Sequence, residues 1–197
     1  MRTSMLFVFS LSLLAASQLY AQAADNSVYR AIELSLSNKA GEARYRAPTS
    51  VGGQANTEVN YSIFTSEDRD LVTSAALFFD TDLDFGPVAF RIGPQAYIGL
   101  LNVENEDVFA VAIGATVRLD IIPSRGFALY GVANWSPDVL TFGSANNLTD
   151  MMARAEIRLS DRVLGFAGYR WFRLDLNVGD RDTLQNEVFA GLSWRMK

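Results

Sequence analysis

The sequence predicts an all-β protein, an antiparallel β-barrel of about eight strands with ten as the alternative count. Three features predict it. Beyond the N-terminal stretch, apolar side chains recur at every second position, the period of a strand whose two faces meet different surroundings. The opposite face carries small residues and isolated charges. Polar and turn-forming segments interrupt the alternation at intervals that suit strands of about 9 to 11 residues.

The N-terminal stretch reads as a cleavable secretory signal. Arg2 supplies the positive charge, Met5 to Ala16 is an apolar run, and Ala21-Gln22-Ala23 is a small-x-small cleavage site. The run is too short for a membrane-spanning helix, which needs roughly 20 residues. Residues 1–23 are therefore expected to be a signal peptide and residues 24–197 the barrel.

In chain order, Ile32, Leu34 and Leu36 alternate with Glu33, Ser35 and Ser37. Val59, Tyr61 and Ile63 alternate with Asn60, Ser62 and Phe64. Thr73, Ala75, Leu77 and Phe79 alternate with Ser74, Ala76, Phe78 and Asp80. In the next strand Phe90, Ile92, Ala96 and Ile98 oppose Arg91, Gly93, Gln95 and Tyr97. The clearest case follows, with Phe109, Val111, Ile113, Ala115, Val117, Leu119 and Ile121 against Ala112, Gly114, Thr116, Arg118 and Asp120. Phe127, Leu129, Ala133 and Trp135 oppose Tyr130, Asn134 and Ser136. Met151, Ala153, Ala155 and Ile157 oppose Arg154, Glu156 and Arg158. Ala167, Tyr169 and Trp171 flank Arg170, and Val188, Ala190, Leu192 and Trp194 oppose Glu187, Ser193 and Arg195. The eight strands fall near 57–65, 71–80, 88–100, 108–122, 127–136, 148–160, 163–176 and 184–197. Val28 to Ser37 is then left over, and pairing it with Glu42 to Ala47 raises the count to ten, which is also even.

Tight turns near Asp84-Phe85-Gly86-Pro87, Pro123 to Gly126 and Ser160 to Arg162 alternate with polar segments at Ser66 to Asp70, Asn102 to Asp107, Thr141 to Asn147 and Asn177 to Thr183. Short turns at one rim and polar loops at the other are expected of a barrel in an outer membrane. A soluble lipocalin-like barrel would carry its apolar residues inside and its charges outside. Here the polar face holds Gly93, Gly99, Gly114, Gly168 and Gly191 among single charges, as a crowded lumen requires. Aromatics of the apolar face (Phe109, Phe127, Trp135, Trp171, Trp194) lie towards strand ends, like an interfacial girdle. The expected location is the outer membrane of a Gram-negative bacterium.

Basic residues are almost all arginine, since lysine occurs only at Lys39 and Lys197. Arginine suits planar, bidentate, partly buried ion pairs. The expected lumen set is Glu33, Arg91, Arg118, Asp120, Arg154, Glu156, Arg158, Arg170, Glu187 and Arg195. In a narrow barrel these charges must pair, which predicts a salt-bridged plug. Within it Arg118, Arg154, Glu156, Arg170 and Glu187 are expected to form one connected network. The excess of arginine over acid in this set also admits a narrow channel for a small anionic solute.

Four motifs stand out: Tyr130 with Trp135-Ser136-Pro137-Asp138, Ala167-Gly168-Tyr169-Arg170-Trp171, Gly179-Asp180-Arg181-Asp182, and the ending Gly191-Leu192-Ser193-Trp194-Arg195-Met196. Together they resemble the YfaZ family of small outer-membrane proteins. The similarity runs roughly from Val59 to Met196, with Lys39 to Gln54 resembling an insertion. The ending also resembles the signal read by the barrel-assembly machinery, except that Met196-Lys197 stands where an aromatic residue commonly ends the chain. The resemblance implies a fold and a location, and no catalytic residue.

Composition excludes other classes. With 17 basic against 22 acidic residues, the chain cannot present the strong basic field that nucleic acid requires. Without cysteine there is no thiolate chemistry, and without histidine there is no Ser/His catalyst. No paired-acid motif supports an aspartyl dyad. The acidic loop residues Glu67, Asp68, Asp70, Glu104, Glu106, Asp107, Asp180 and Asp182 lack the full spacing of a calcium loop. The expectation is a non-enzymatic barrel without metal or cofactor, serving a structural or surface-interaction role. Its expected partners are outer-membrane lipid, lipopolysaccharide and the assembly machinery. A soluble periplasmic binding barrel is the remaining alternative.

Overall fold

The structure is a computed structural model that describes residues 30–51, 54–81, 86–102, 106–176 and 181–196. The signal-peptide segment lies outside the described residues. Eleven strands are present among them: β1 (Arg30–Ser37), β2 (Ala40–Val51), β3 (Gln54–Ser66), β4 (Leu71–Asp80), β5 (Val88–Leu101), β6 (Glu106–Ile122), β7 (Phe127–Ser136), β8 (Thr141–Gly143), β9 (Ala145–Arg158), β10 (Val163–Leu176) and β11 (Arg181–Met196). Ten of them form a closed antiparallel ring, β1 through β7 and then β9, β10 and β11. The β5–β6 pairing joins the two ends of the strand order, and β1 zips onto β11 from Arg30↔Met196 to Ser37↔Phe189.

The barrel therefore has ten strands, not eight. The stretch left over in the eight-strand count is β1, which closes the wall, and its partner β2 joins it to β3 through pairs such as Ile32↔Tyr45 and Tyr45↔Tyr61. Neither strand is dispensable. The outward face of β1 is apolar, while its inward face holds Glu33 at 2% exposure.

The eleventh strand, β8, interrupts rather than extends the ring. After Ser136 the chain makes a 3-10 turn at Asp138–Leu140, and β8 then resumes beside Val108–Ala110 of β6, in line with β7. Hydroxyls pin this break. Ser136 Oγ donates to the Val111 carbonyl at 3.0 Å, and Thr141 Oγ1 donates to the Pro137 carbonyl at 3.0 Å.

One rim, here rim A, carries Arg30, Met196 and the connections 52–53, 81–87, 123–126 and 159–162. Rim B carries 38–39, 67–70, 102–105, 137–144 and 177–180. Connections are short at both rims, contrary to the expected contrast of turns and loops. The strands outrun their expected length, β6 reaching 17 residues, and take in parts of the polar segments. Thr141 to Asn147, for example, is β8 and the start of β9.

The outer wall is apolar. Leu36, Ile113 and Val188 are 71%, 67% and 72% exposed, and Ile32, Leu34, Ile63, Ile92, Ile98, Leu129, Met151 and Leu192 are exposed beside them. Of the expected girdle, Phe109, Trp135 and Trp194 are exposed, Phe127 and Trp171 half-buried. Phe109 stacks on Phe142 across the β6–β8 pair. Beyond Trp171 the outward face turns charged, with Arg173 over the indole ring and paired to Asp175 at 3.3 Å.

The core is the lumen itself. Towards rim B it is apolar, built from Phe64, Val72, Tyr97, Leu148, Phe172 and Leu174 among others, with Phe64 edge-on to Phe172. Tyr130, Met152, Phe166 and Phe189 form a smaller cluster nearer rim A. Ten strands enclose more space than the eight that side chains just fill, so large residues are needed inside. Glycines make room for them. A Cβ at Gly191 would lie 2.3 Å from the Leu34 carbonyl and 2.5 Å from the Phe166 ring. Gly191→Ala is thus expected to destabilise the barrel by about 1–3 kcal/mol through overpacking. A urea titration reads this directly, and an unchanged midpoint would remove the close packing argued for this position.

Candidate functional site

The inward positions of the strands bring charges together across the lumen. The largest group is a chain of alternating sign. Arg154 of β9 donates from Nη1 and Nη2 to the two carboxylate oxygens of Glu33 on β1, at 2.8 and 2.9 Å, and from Nε to Glu156 at 2.9 Å. Glu33 also pairs with Arg46 of β2, and Glu156 with Arg118 of β6. Arg118 Nε in turn donates to Asp120 at 3.2 Å. Two wall strands, β10 and β11, separate β9 from β1, and β7 separates β9 from β6. These bonds therefore cross the interior. Arg154, at 4% exposure, is also packed between aromatic faces, 4.3 Å from the Phe166 centroid and 4.8 Å from that of Tyr130. A flat guanidinium can stack and bond in its plane at once, whereas an ammonium cannot.

A second group lies towards rim B. Arg170 of β10 grips Asp150 of β9 bidentately at 2.8 and 2.9 Å and reaches Glu42 of β2 at 3.3 Å. Arg44 bonds both oxygens of Glu42 at 2.9 and 3.1 Å, and Tyr97 of β5 donates its hydroxyl to Asp150 at 3.0 Å. Arg170 is sandwiched by Phe64 and Phe172. A third, looser group has Arg91 of β5 at 3.8 Å from Glu58 and 3.9 Å from Asp80.

Of the residues expected in the lumen, Glu33, Arg118, Asp120, Arg154 and Glu156 thus meet in one chain, while Arg170 and Arg91 belong to separate groups. Glu187 sits opposite Arg170 in the β10–β11 register, yet its side-chain bonds among the described residues go elsewhere. It lies near rim B and accepts from Ser37 Oγ at 2.6 Å and from the Lys39 amide at 3.0 Å. Arg158 is exposed at the rim A end of β9, and Arg195 is half-buried at the same rim. The single network joining Arg118, Arg154, Glu156, Arg170 and Glu187 is therefore not what the geometry shows. Charges divide by height in the barrel, and Glu187 caps the β1–β2 connection instead.

The lumen set expected from the sequence left out Glu42, Arg44, Arg46, Glu58, Asp150 and also Asp80, which alternation had already put on the polar face of its strand. Their signal was present in β2, where Glu42, Arg44 and Arg46 alternate with Ala43, Tyr45 and Ala47. These partners also remove the excess of arginine. The first chain sets Arg46, Arg118 and Arg154 against Glu33, Asp120 and Glu156, and the second sets Arg44 and Arg170 against Glu42 and Asp150. Each is neutral. Among the described residues, no group of three or more acidic side chains is placed to hold a metal ion.

A family model described as YfaZ precursor matches residues 10–195. The chain belongs to the YfaZ family. The match includes Lys39 to Gln54, which resembled an insertion in the sequence; Ala40–Val51 of it forms β2, and Gln54 opens β3. No curated protein matches the chain. Among solved structures, the fold is similar to that of a bacterial polysaccharide outer membrane secretin, with a TM-score of 0.51 at 12% identity. That alignment covers 80% of this chain and 57% of the secretin, so the chain spans little more than half of that structure's length.

Proposed function

We propose that this YfaZ-family protein is a sealed, non-enzymatic barrel of the outer membrane, with a structural or surface-interaction role. The inside-out distribution of polarity carries the reading. Soluble monomers rarely expose contiguous apolar patches beyond a few hundred Å², and here apolar side chains cover the wall on nearly every strand while Arg91, Arg154 and Arg170 are buried within. A soluble binding barrel would be built the other way. A channel for anions would need uncompensated positive charge along its path, and the two crossing charge groups are each neutral. A cluster of buried apolar side chains packs inside the lumen towards rim B, which supports a sealed barrel. The lipid bilayer, lipopolysaccharide and the assembly machinery are the partners that this reading implies, and neither cofactor nor catalytic group enters it.

Cell fractionation tests the location. The mature chain is expected in the outer-membrane fraction and is expected to migrate faster on gels before boiling than after, because a closed barrel resists detergent. Recovery in the soluble periplasmic fraction would contradict the proposal.

A further inference from the structure

The two rims differ in charge, although they do not differ in connection length. Rim A bears an arc of arginines. Arg30 opens β1 and faces outward next to Ile32. Arg162 lies in the β9–β10 connection, and Arg158 ends β9. Arg125 closes the 3-10 turn between β6 and β7. All four are exposed, and none forms an ion pair among the described residues. The backbone draws them together. The Arg162 carbonyl accepts the Arg195 amide at 2.8 Å and Arg195 is paired to Ala31, so β11 alone lies between Arg162 and the start of β1 at Arg30. On the other side, Gly126 has a φ of +62°, and a Cβ there would lie 2.6 Å from that of Arg158. The glycine lets Arg158 lie across the turn beside Arg125. Among the described residues of this rim, Asp161 is the exposed acid that opposes them. At rim B the exposed charges among the described residues are Glu67, Asp68, Asp107 and Asp138 against Lys39 and Arg69.

Directly above the arc begins the apolar wall, with Trp194 and Ile157 exposed. In a bilayer this is the height of the lipid phosphates. A guanidinium presents a planar fork that binds phosphate oxygens bidentately, and cations close to an anionic lipid surface are attracted to it. We infer that the arginine arc of rim A is a docking surface for anionic phospholipid headgroups, of the phosphatidylglycerol class, in the leaflet at that rim. This inference rests on the membrane reading above. It adds an oriented lipid preference that a generic barrel need not have.

Tryptophan fluorescence tests it, because the chain has three tryptophans and two can be removed. In a Trp135→Phe/Trp171→Phe protein reconstituted in mixed bilayers, Trp194 reports on rim A. Brominated phosphatidylglycerol should quench it with roughly fivefold preference over brominated phosphatidylcholine, the effect of about one well-placed arginine. High salt should weaken that preference, as should adding Arg125→Gln, Arg158→Gln and Arg162→Gln. A protein retaining only Trp135, at rim B, should show no preference. Equal quenching of Trp194 by the two lipids would overturn the inference. So would a preference that survives the three substitutions, or binding to isolated peptidoglycan sacculi that depends on the arginines without any lipid preference. Quenching by neither lipid would instead sink the membrane reading, and the inference with it.

Discussion

Replacing Arg154 with methionine is expected to destabilise the barrel by about 3–5 kcal/mol, the cost of removing one partner from a buried ion pair. Methionine keeps most of the volume and loses the charge. Glu33 and Glu156 would then remain inside the lumen without the guanidinium that binds both, at 2.8 to 2.9 Å. Arg46 and Arg118 would still hold one carboxylate each, so partial rescue is expected when Glu33→Gln and Glu156→Gln are added. An exposed pair behaves differently. Glu67 meets Lys39 at 3.6 Å with both side chains largely in solvent, and Glu67→Ala should change stability by less than about 1 kcal/mol. Urea unfolding of the reconstituted protein compares the two. Equal midpoints for Arg154→Met and Glu67→Ala would show that the crossing chain does not hold the barrel.

A charge on the outer wall is the second large effect. Ile113 lies mid-strand in β6, paired across the wall with Pro94 and Trp135, and is 67% exposed. In a bilayer, Ile113→Arg should cost about 2–4 kcal/mol near the midplane. In water, the same change at so exposed a site should fall within about 0.5 kcal/mol. Folding into vesicles, followed by the unfolding midpoint, separates the two environments. Loss of stability no larger than the aqueous value would mean that the apolar wall does not face lipid.

The period-two pattern made the wall legible because it needs only the alternation of each strand, and β7 falls at Phe127–Ser136 as the pattern predicts. The strand count was less legible. β1 carries Glu33 between Ile32 and Leu34 and reads as a strand by itself, yet nothing local says that it pairs with β11 at the far end of the chain. Closure is a long-range property, and both candidate counts are even. The charge network was legible as residue type and face, through Arg118, Arg154 and Glu156. It was not legible as pairing, because partners such as Arg154 and Glu33 lie 121 residues apart and meet only when ten strands fix the curvature. Asp150 was missed for a related reason. It lies inside the strand expected at 148–160 with the same parity as Arg154 and Glu156, but no local feature marks it as the partner of Arg170, 20 residues away.

The central claim is that side chains seal the lumen, and a planar-bilayer recording of the wild-type protein tests it most directly. With insertion verified by heat-modifiable mobility, the account predicts no steady current, because neutral ion-pair groups and the apolar layer of Phe64, Leu148, Phe172 and Leu174 fill the interior. A stable open state with current proportional to voltage would contradict it.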